Sequence, residues 1–174
     1  MKLSSSSAQL QKEFEKAYDL YADAIFRHCY LRVSDRELAK DLMQEAFMKT
    51  WEYLASGHDI QDIRPFLYRT AHNCLIDHVR RQKKRRTDSL ESLQEDGFDV
   101  AGESGKDWAT VLDAKAVVEV FQKVREPYRT VLVLRYVDEM QPSEIAAMLN
   151  ISANAVSVRI TRGLEKLRML LPDG

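Results

Sequence analysis

The sequence predicts an all-α protein of two small helical bundles joined by an acidic flexible linker, the C-terminal bundle containing a helix-turn-helix. Three observations predict it. Apolar residues recur at spacings of three and four along most of the 174 residues, with no sustained alternation of period two. Residues 87 to 107 interrupt that pattern with seven acids, one Lys and three Gly, the composition of a solvated tether. Near the C-terminus, PSEIAAMLN followed by ISANAVSVRITRGLEKL reads as a short helix, a tight turn and a longer helix.

The first helix is expected from Leu10 to about Leu31, on the stripe Phe14, Tyr18, Tyr21, Ile25, Phe26 and Cys29. Ser34 to Glu37 has the S-x-x-E form of a capping box, so a second helix should open there, capped by the Ser34 hydroxyl, and run to about Leu54. Its apolar face is Leu38, Leu42, Ala46, Phe47, Trp51 and Leu54. Asp41, Glu45, Met48 and Glu52 fall opposite, giving an acidic surface with one apolar knob. Ser56-Gly57-His58-Asp59 breaks the pattern, and a third helix starts near Arg64-Pro65, where Pro suits the first turn. Its stripe is Phe66, Leu67, Thr70, Ala71, Cys74, Leu75, His78 and Val79, and it ends in the basic run Arg80 to Arg86.

After the linker, helical spacing resumes near Ala109 with Val111, Leu112, Val117, Val118, Phe121 and Val124, and Pro127 stops it. A further helix spans roughly Tyr128 to Val137. Pro142 then suits a first helical position, Glu144 stands where a capping carboxylate belongs, and Ile145, Ala146 and Leu149 face inward. Asn150 occupies the turn, where a left-handed residue is needed and Asn is well tolerated. Ile151 plugs the corner and Ser152 caps the last helix, whose inner stripe is Val156, Ile160, Leu164, Leu167 and Leu171. Asn154, Ser157, Val158, Thr161 and Arg162 point outward. With Arg159 they supply the hydrogen-bonding groups and cations that a major-groove helix needs near its N-terminal half.

A formal net charge of -1 conceals a segregated distribution. Residues 63 to 86 carry +7 and residues 87 to 108 carry -6, whereas residues 1 to 62 carry -3 and residues 109 to 174 carry +1. Fields act over roughly 8 to 10 Å in physiological salt, so this local asymmetry is a better guide to partners than the total. Cys29 and Cys74 each fall in an apolar helical pattern and read as buried free thiols. His28, His58, His72 and His78 form no metal or triad spacing; no metal, cofactor or catalytic centre is expected, and the chain does not read as an enzyme. The opening MKLSSSSAQLQKEF lacks an apolar core and reads as a short lead-in, not a signal peptide, and no apolar run has the length a bilayer needs. The expectation is a cytoplasmic protein without membrane insertion.

Four segments in order resemble the sigma-70 family of RNA polymerase sigma factors, specifically its extracytoplasmic-function (ECF) group. DLMQEAF, Asp41 to Phe47, followed by Trp51, resembles the signature for docking on the polymerase clamp helices; the resemblance implies that Asp41, Gln44 and Glu45 bind core polymerase, and Met48 on the same face offers an apolar anchor for that partner. RPFLYRTAHNCLIDHVRRQKKRR resembles the stretch that recognises and melts the minus 10 element, with Phe66 where Trp is usual. By that match Asn73 lines a pocket for a flipped base, Tyr68 and Arg69 are the Y-R pair, and Arg80, Arg81 and Lys84 belong to the basic end that tracks the strand. The acidic segment resembles the connector threaded toward the RNA exit path. VREPYRTVLVLRYVDEM and the helix-turn-helix resemble the minus 35 reader, implying DNA contacts from Asn154, Ser157, Val158, Arg159, Thr161 and Arg162, with Glu126 before Pro127 as a departure.

The implied layout is residues 10 to 86 as sigma region 2, 87 to 108 as the linker and 109 to 174 as sigma region 4. The implied partners are core RNA polymerase (clamp helices and flap), promoter DNA and an anti-sigma factor. A dimeric repressor is the competing reading. It accounts for the helix-turn-helix but leaves DLMQEAF and the basic Asn73 helix without a task.

Overall fold

A computed structural model describes residues 7–88 and 108–170, and among them every regular element is helical. Helices α1 (Ser7–Val33), α2 (Arg36–Ala55) and α3 (Ile63–Asp88) form the front bundle. The rear bundle is α4 (Trp108–Lys123), α5 (Tyr128–Leu132) continuing into a π-helical turn (Val133–Val137), α6 (Pro142–Leu149) and α7 (Ala153–Leu170). Residues 1 to 6 of the expected lead-in, nearly all of the acidic linker and Leu171 lie outside the described residues, as do the side chains of Val111, Leu112 and Arg86, whereas residues 7 to 14 of that lead-in are already helical, the first two turns of α1.

In the front bundle the apolar stripes meet as their spacing requires. Ile25, Leu42, Phe47, Leu67, Ala71 and Cys74 are all buried, each large apolar side chain contributing roughly 1.5–3 kcal/mol. Phe14 closes one end, its ring centroid 5.1 Å from Trp51 and 6.0 Å from Phe47. The expected Ser34 cap is displaced by one residue. Ser34 adopts a left-handed φ of 59° and its N–H donates to Tyr30 O at 2.8 Å, finishing α1. Because Ser34 is used to reverse the chain, Asp35 caps α2 instead, accepting from Leu38 N at 2.9 Å. At the start of α3, Asp62 Oδ1 accepts from Arg64 N at 3.2 Å, and Pro65 sits in the first turn.

The helix expected over Tyr128 to Val137 widens at Val133 into the π turn, so its last residues are rotated relative to a continuous α-helix. Leu132 and Val133 remain fully buried beside Val124 and Phe121, with Leu164 and Leu167 of α7 against them. Gly163 lets α7 approach closely, since a Cβ there would stand 3.1 Å from the Leu132 side chain. The helix-turn-helix is built from local hydrogen bonds. Glu144 Oε2 accepts from Gln141 N at 2.6 Å, Asn150 is left-handed (φ 53°, ψ 48°), and Ser152 Oγ accepts from Ala155 N at 3.1 Å.

The two bundles pack on each other. Met140, Ile145 and Met148 of the rear bundle join one apolar cluster with Ile25, Leu67 and Ala71 of the front bundle, so the hydrophobic core is continuous across the boundary.

Candidate functional site

Three surfaces carry the side chains singled out by sequence, and a fourth was not foreseen. On α2, Asp41, Gln44 and Met48 are exposed and Glu45 is half-buried. A hydrogen bond from Lys49 Nζ, 2.8 Å away, is the main cause holding the Glu45 carboxyl below its ordinary value. Met48 is 63% exposed, beside a groove of about 420 Å³ lined by Phe14, Tyr18, Gln44, Phe47, Met48 and Trp51. The slot is apolar apart from the Gln44 amide, and Asp41 and Glu45 lie on the same helix as Gln44 and Met48.

On α3, Arg69, Asn73, Arg80, Arg81 and Lys84 are exposed. Arg69, Asn73, Arg80 and Lys84 recur at intervals of four, seven and four residues, which places them on one stripe of the helix. Arg80 pairs loosely with Asp77 at 3.9 Å, and Arg81 Nε donates to Asp77 O at 3.3 Å. Cations flanking an exposed amide can hold phosphates on either side of an unstacked base. Tyr68 does not share that stripe. It is 2% exposed and its hydroxyl donates to Asp138 Oδ1 at 3.2 Å.

On α7, Asn154, Ser157, Val158, Thr161 and Arg162 form the outward face and Arg159 is half-buried. The Ser157 and Thr161 hydroxyls donate to Ala153 O and Ser157 O, both at 3.1 Å, leaving their oxygens free to accept.

The fourth surface lies between the bundles. His28 Nδ1 donates to Asp138 Oδ2 at 2.7 Å, with both side chains fully buried. Arg64 Nη2 donates to Asp138 O at 2.6 Å. Arg32 Nε meets Glu126 Oε1 at 3.0 Å, and Arg129 Nη1 donates to Arg32 O at 3.3 Å. Burial pushes the Arg32 guanidinium below its ordinary value despite the Glu126 charge. Burial also pushes Glu126 up, but Arg32, the Thr130 hydroxyl and Arg129 outweigh it and hold the carboxyl below its ordinary value. His72 is lowered to about 4, first by burial and then by Arg32 and His28. Tyr68 is raised, first by burial and then by Asp138. The sequence offers no local signal for this cluster, because its partners stand 70 to 110 residues apart.

These features define an all-helical chain with an acidic, apolar-centred face on α2, a cationic stripe on α3 and a polar outward face on α7. Residues 17–85 match the family described as Sigma-70 region 2, and residues 114–167 match Sigma-70, region 4. The chain is 32% identical over 170 residues to the ECF RNA polymerase sigma factor SigW of Bacillus subtilis (strain 168), covering 94% of this chain and 91% of SigW. It is 32% identical over 165 residues to SigM of the same organism, covering 92% and 96%. Two solved structures share the fold. The sigma factor RpoE of Bartonella quintana, in complex with the anti-sigma factor NepR, has a TM-score of 0.73 at 18% identity, covering 91% of this chain and 96% of that one. CnrH, in complex with the cytosolic domain of CnrY, has a TM-score of 0.68 at 22% identity, covering 92% and 88%. The chain belongs to the ECF group of the sigma-70 family. It is a promoter-specific transcription initiation factor that works with RNA polymerase, and its family is one of initiation factors rather than enzymes. Among the described residues no helix is long and apolar enough to cross a membrane.

Proposed function

We propose that residues 10 to 86 act as region 2 and residues 109 to 174 as region 4, with residues 87 to 108 as the connector between them. Asp41, Gln44, Glu45 and Met48 dock on the polymerase clamp helices, Met48 and the adjoining groove taking an apolar side chain while the acids meet cations. Arg69, Asn73, Arg80, Arg81 and Lys84 hold the unpaired minus 10 strand, Asn73 hydrogen-bonding an extruded base and the cations tracking phosphates. Tyr68 joins that surface only when Asp138 releases its hydroxyl. Asn154, Ser157, Val158, Arg159, Thr161 and Arg162 read the minus 35 duplex in the major groove, and the rear bundle contacts the polymerase flap. The factor works in the cytoplasm and is held in reserve by an anti-sigma factor, a reading supported by the complex of RpoE with the anti-sigma factor NepR.

The observation that carries this reading is the exposed stripe of Arg69, Asn73, Arg80 and Lys84 on α3, cationic and amide-bearing. Incubation with core polymerase and a promoter library is expected to give specific run-off transcripts. Transcripts identical to those from core alone would overturn it. A gel shift separates the competing repressor reading: strong binding of duplex DNA without polymerase favours the repressor, and weak binding until polymerase is added favours the sigma factor.

A further inference from the structure

We infer that Ile76 is a thymine-reading residue of α3, its side chain taking the C5 methyl of one thymine in the strand held by Arg69, Asn73, Arg80 and Lys84; this deepens the reading of α3 as the minus 10 face and rests on it.

Ile76 is out of register with the buried side of its helix. α3 buries Leu67, Ala71, Cys74 and Leu75, whereas Ile76 is 37% exposed. At about 100° of rotation per residue it stands about 140° round the helix from Ala71 and about 160° from Cys74. On the same count it lies about 20° from Arg69, about 40° from Arg80 and about 60° from Asn73, in the middle of the stripe. Asn73 is three residues before it and Arg80 four after it, so both side chains are its neighbours on the helix surface. A large apolar side chain is thus framed by an amide and two guanidinium groups.

Charge selects the occupant of that spot. Arg69, Arg80 and Lys84 are exposed around it, and the ion pair of Arg80 with Asp77 is as long as 3.9 Å. An apolar protein surface seated on Ile76 would desolvate those cations without pairing them, which costs free energy. A nucleic-acid strand meets them with its phosphates and turns its bases toward the helix. The frame of cations therefore fits a strand, and the apolar centre fits whatever part of a base is itself apolar.

Among the four DNA bases only thymine carries an alkyl group on the edge that side chains read, and apolar side chains are what contact it. Ile76 has no donor or acceptor with which to tell the other bases apart. Along the helix axis it stands about 4.5 Å from Asn73, comparable with the spacing of about 3.4 Å between successive bases of a strand. Asn73 and Ile76 thus address the same short stretch, one by hydrogen bonds and the other by a methyl contact. Burying one methyl group is worth about fourfold in affinity.

The test uses the full chain assembled with core polymerase and a promoter recovered by run-off selection, each thymine of its minus 10 element being replaced in turn by uracil, which lacks only the methyl. At one position uracil is expected to weaken binding by the wild type about fourfold. Ile76→Ala is expected to bind the thymine promoter about fourfold more weakly and to be indifferent to uracil at that position, with helix content retained. Val79→Ala is the control: Val79 is equally exposed at 38% but lies about 80° from Arg69 on the helix, and the variant is expected to keep the full uracil response. A wild type that ignores uracil at every position, an Ile76→Ala that responds as the wild type does, or selected promoters that share no thymine in the element each overturn the assignment. If Ile76→Ala loses helix content, the uracil series on the wild type decides, with Ile76→Val expected to keep a reduced response. Run-off transcription keeps the two readings apart. Absent transcripts from the wild type overturn the initiation reading and the thymine contact with it, whereas specific transcripts without a uracil response overturn the thymine contact alone.

Discussion

The Tyr68 hydroxyl donates to Asp138 Oδ1 at 3.2 Å across the junction between the bundles, while its ring meets His28 edge-on with centroids 5.3 Å apart. One tyrosine therefore touches both members of the His28–Asp138 pair. Tyr68→Phe keeps the ring and removes only the hydroxyl, leaving Asp138 Oδ1 without its donor in a dry site. Stability is expected to fall by about 1–2 kcal/mol, read as a lower urea midpoint at unchanged slope. A midpoint equal to wild type contradicts the contact.

His72 sets an acid limit on stability. Its folded value near 4 lies below the ordinary 6.5, caused first by burial and then by Arg32 and His28. The unfolded chain therefore takes up the proton first as pH falls. Stability is expected to be level above pH 7 and to decline between about 6.5 and 4, by at most about 1.4 kcal/mol per pH unit. Glu126, held below its ordinary value, adds a further loss as pH falls below 4.5. Urea titrations at pH 7 and pH 5, with wild type and His72→Gln, check the sign: the variant should lose most of the slope in that window.

The thiols report on the front core. Cys29 is fully buried and burial pushes it up to about 12; Cys74 is buried and raised for the same first cause. Neither should be a thiolate at pH 8, and neither presents its sulfur to solvent. A thiol-reactive chromogen is expected to give almost no colour with the native protein and to titrate both groups once urea unfolds it. A fast native reaction of either cysteine would show that the front bundle opens locally at low cost.

How much of this was legible in the sequence depends on how local the cause is. Ser152, Asn150 and Glu144 act through backbone groups within three or four residues, so the helix-turn-helix follows from the string itself. The same logic misplaced the cap of α2 by one, because the S-x-x-E pattern does not reveal that Ser34 is needed in a left-handed conformation to turn the chain. The exposed faces of α2 and α7 follow from period alone. Tyr68 does not: it neighbours Arg69 in sequence, yet its burial is decided by Asp138, seventy residues away. The π turn at Val133 escaped for a related reason, since VLVLRYV satisfies a helical pattern at either pitch and packing selects the wider one.

The basic stripe of α3 gives the sharpest quantitative expectation. Arg80 has 78% of its side chain exposed and a partner no nearer than Asp77 at 3.9 Å; Arg69 and Lys84 are exposed on the same stripe. A surface cation with so loose a tie contributes little to folding, so replacing it should leave the thermal midpoint nearly unchanged. Its effect should appear in the salt dependence of strand binding instead. Each phosphate contact to a single strand releases condensed counterions and contributes about 0.7 to the slope of log affinity against log salt. Arg80→Ala and Lys84→Ala, each assembled with core polymerase and titrated with a single-stranded minus 10 oligonucleotide, are expected to lower that slope by about 0.7 apiece and about 1.4 together. Asn73→Ala should behave differently, since it removes a hydrogen bond to a base and no cation: affinity for the matched strand should drop about tenfold or more at every salt concentration, with the slope kept. If the two kinds of variant shift affinity in the same way, the stripe does not divide its work between phosphate and base as its chemistry requires.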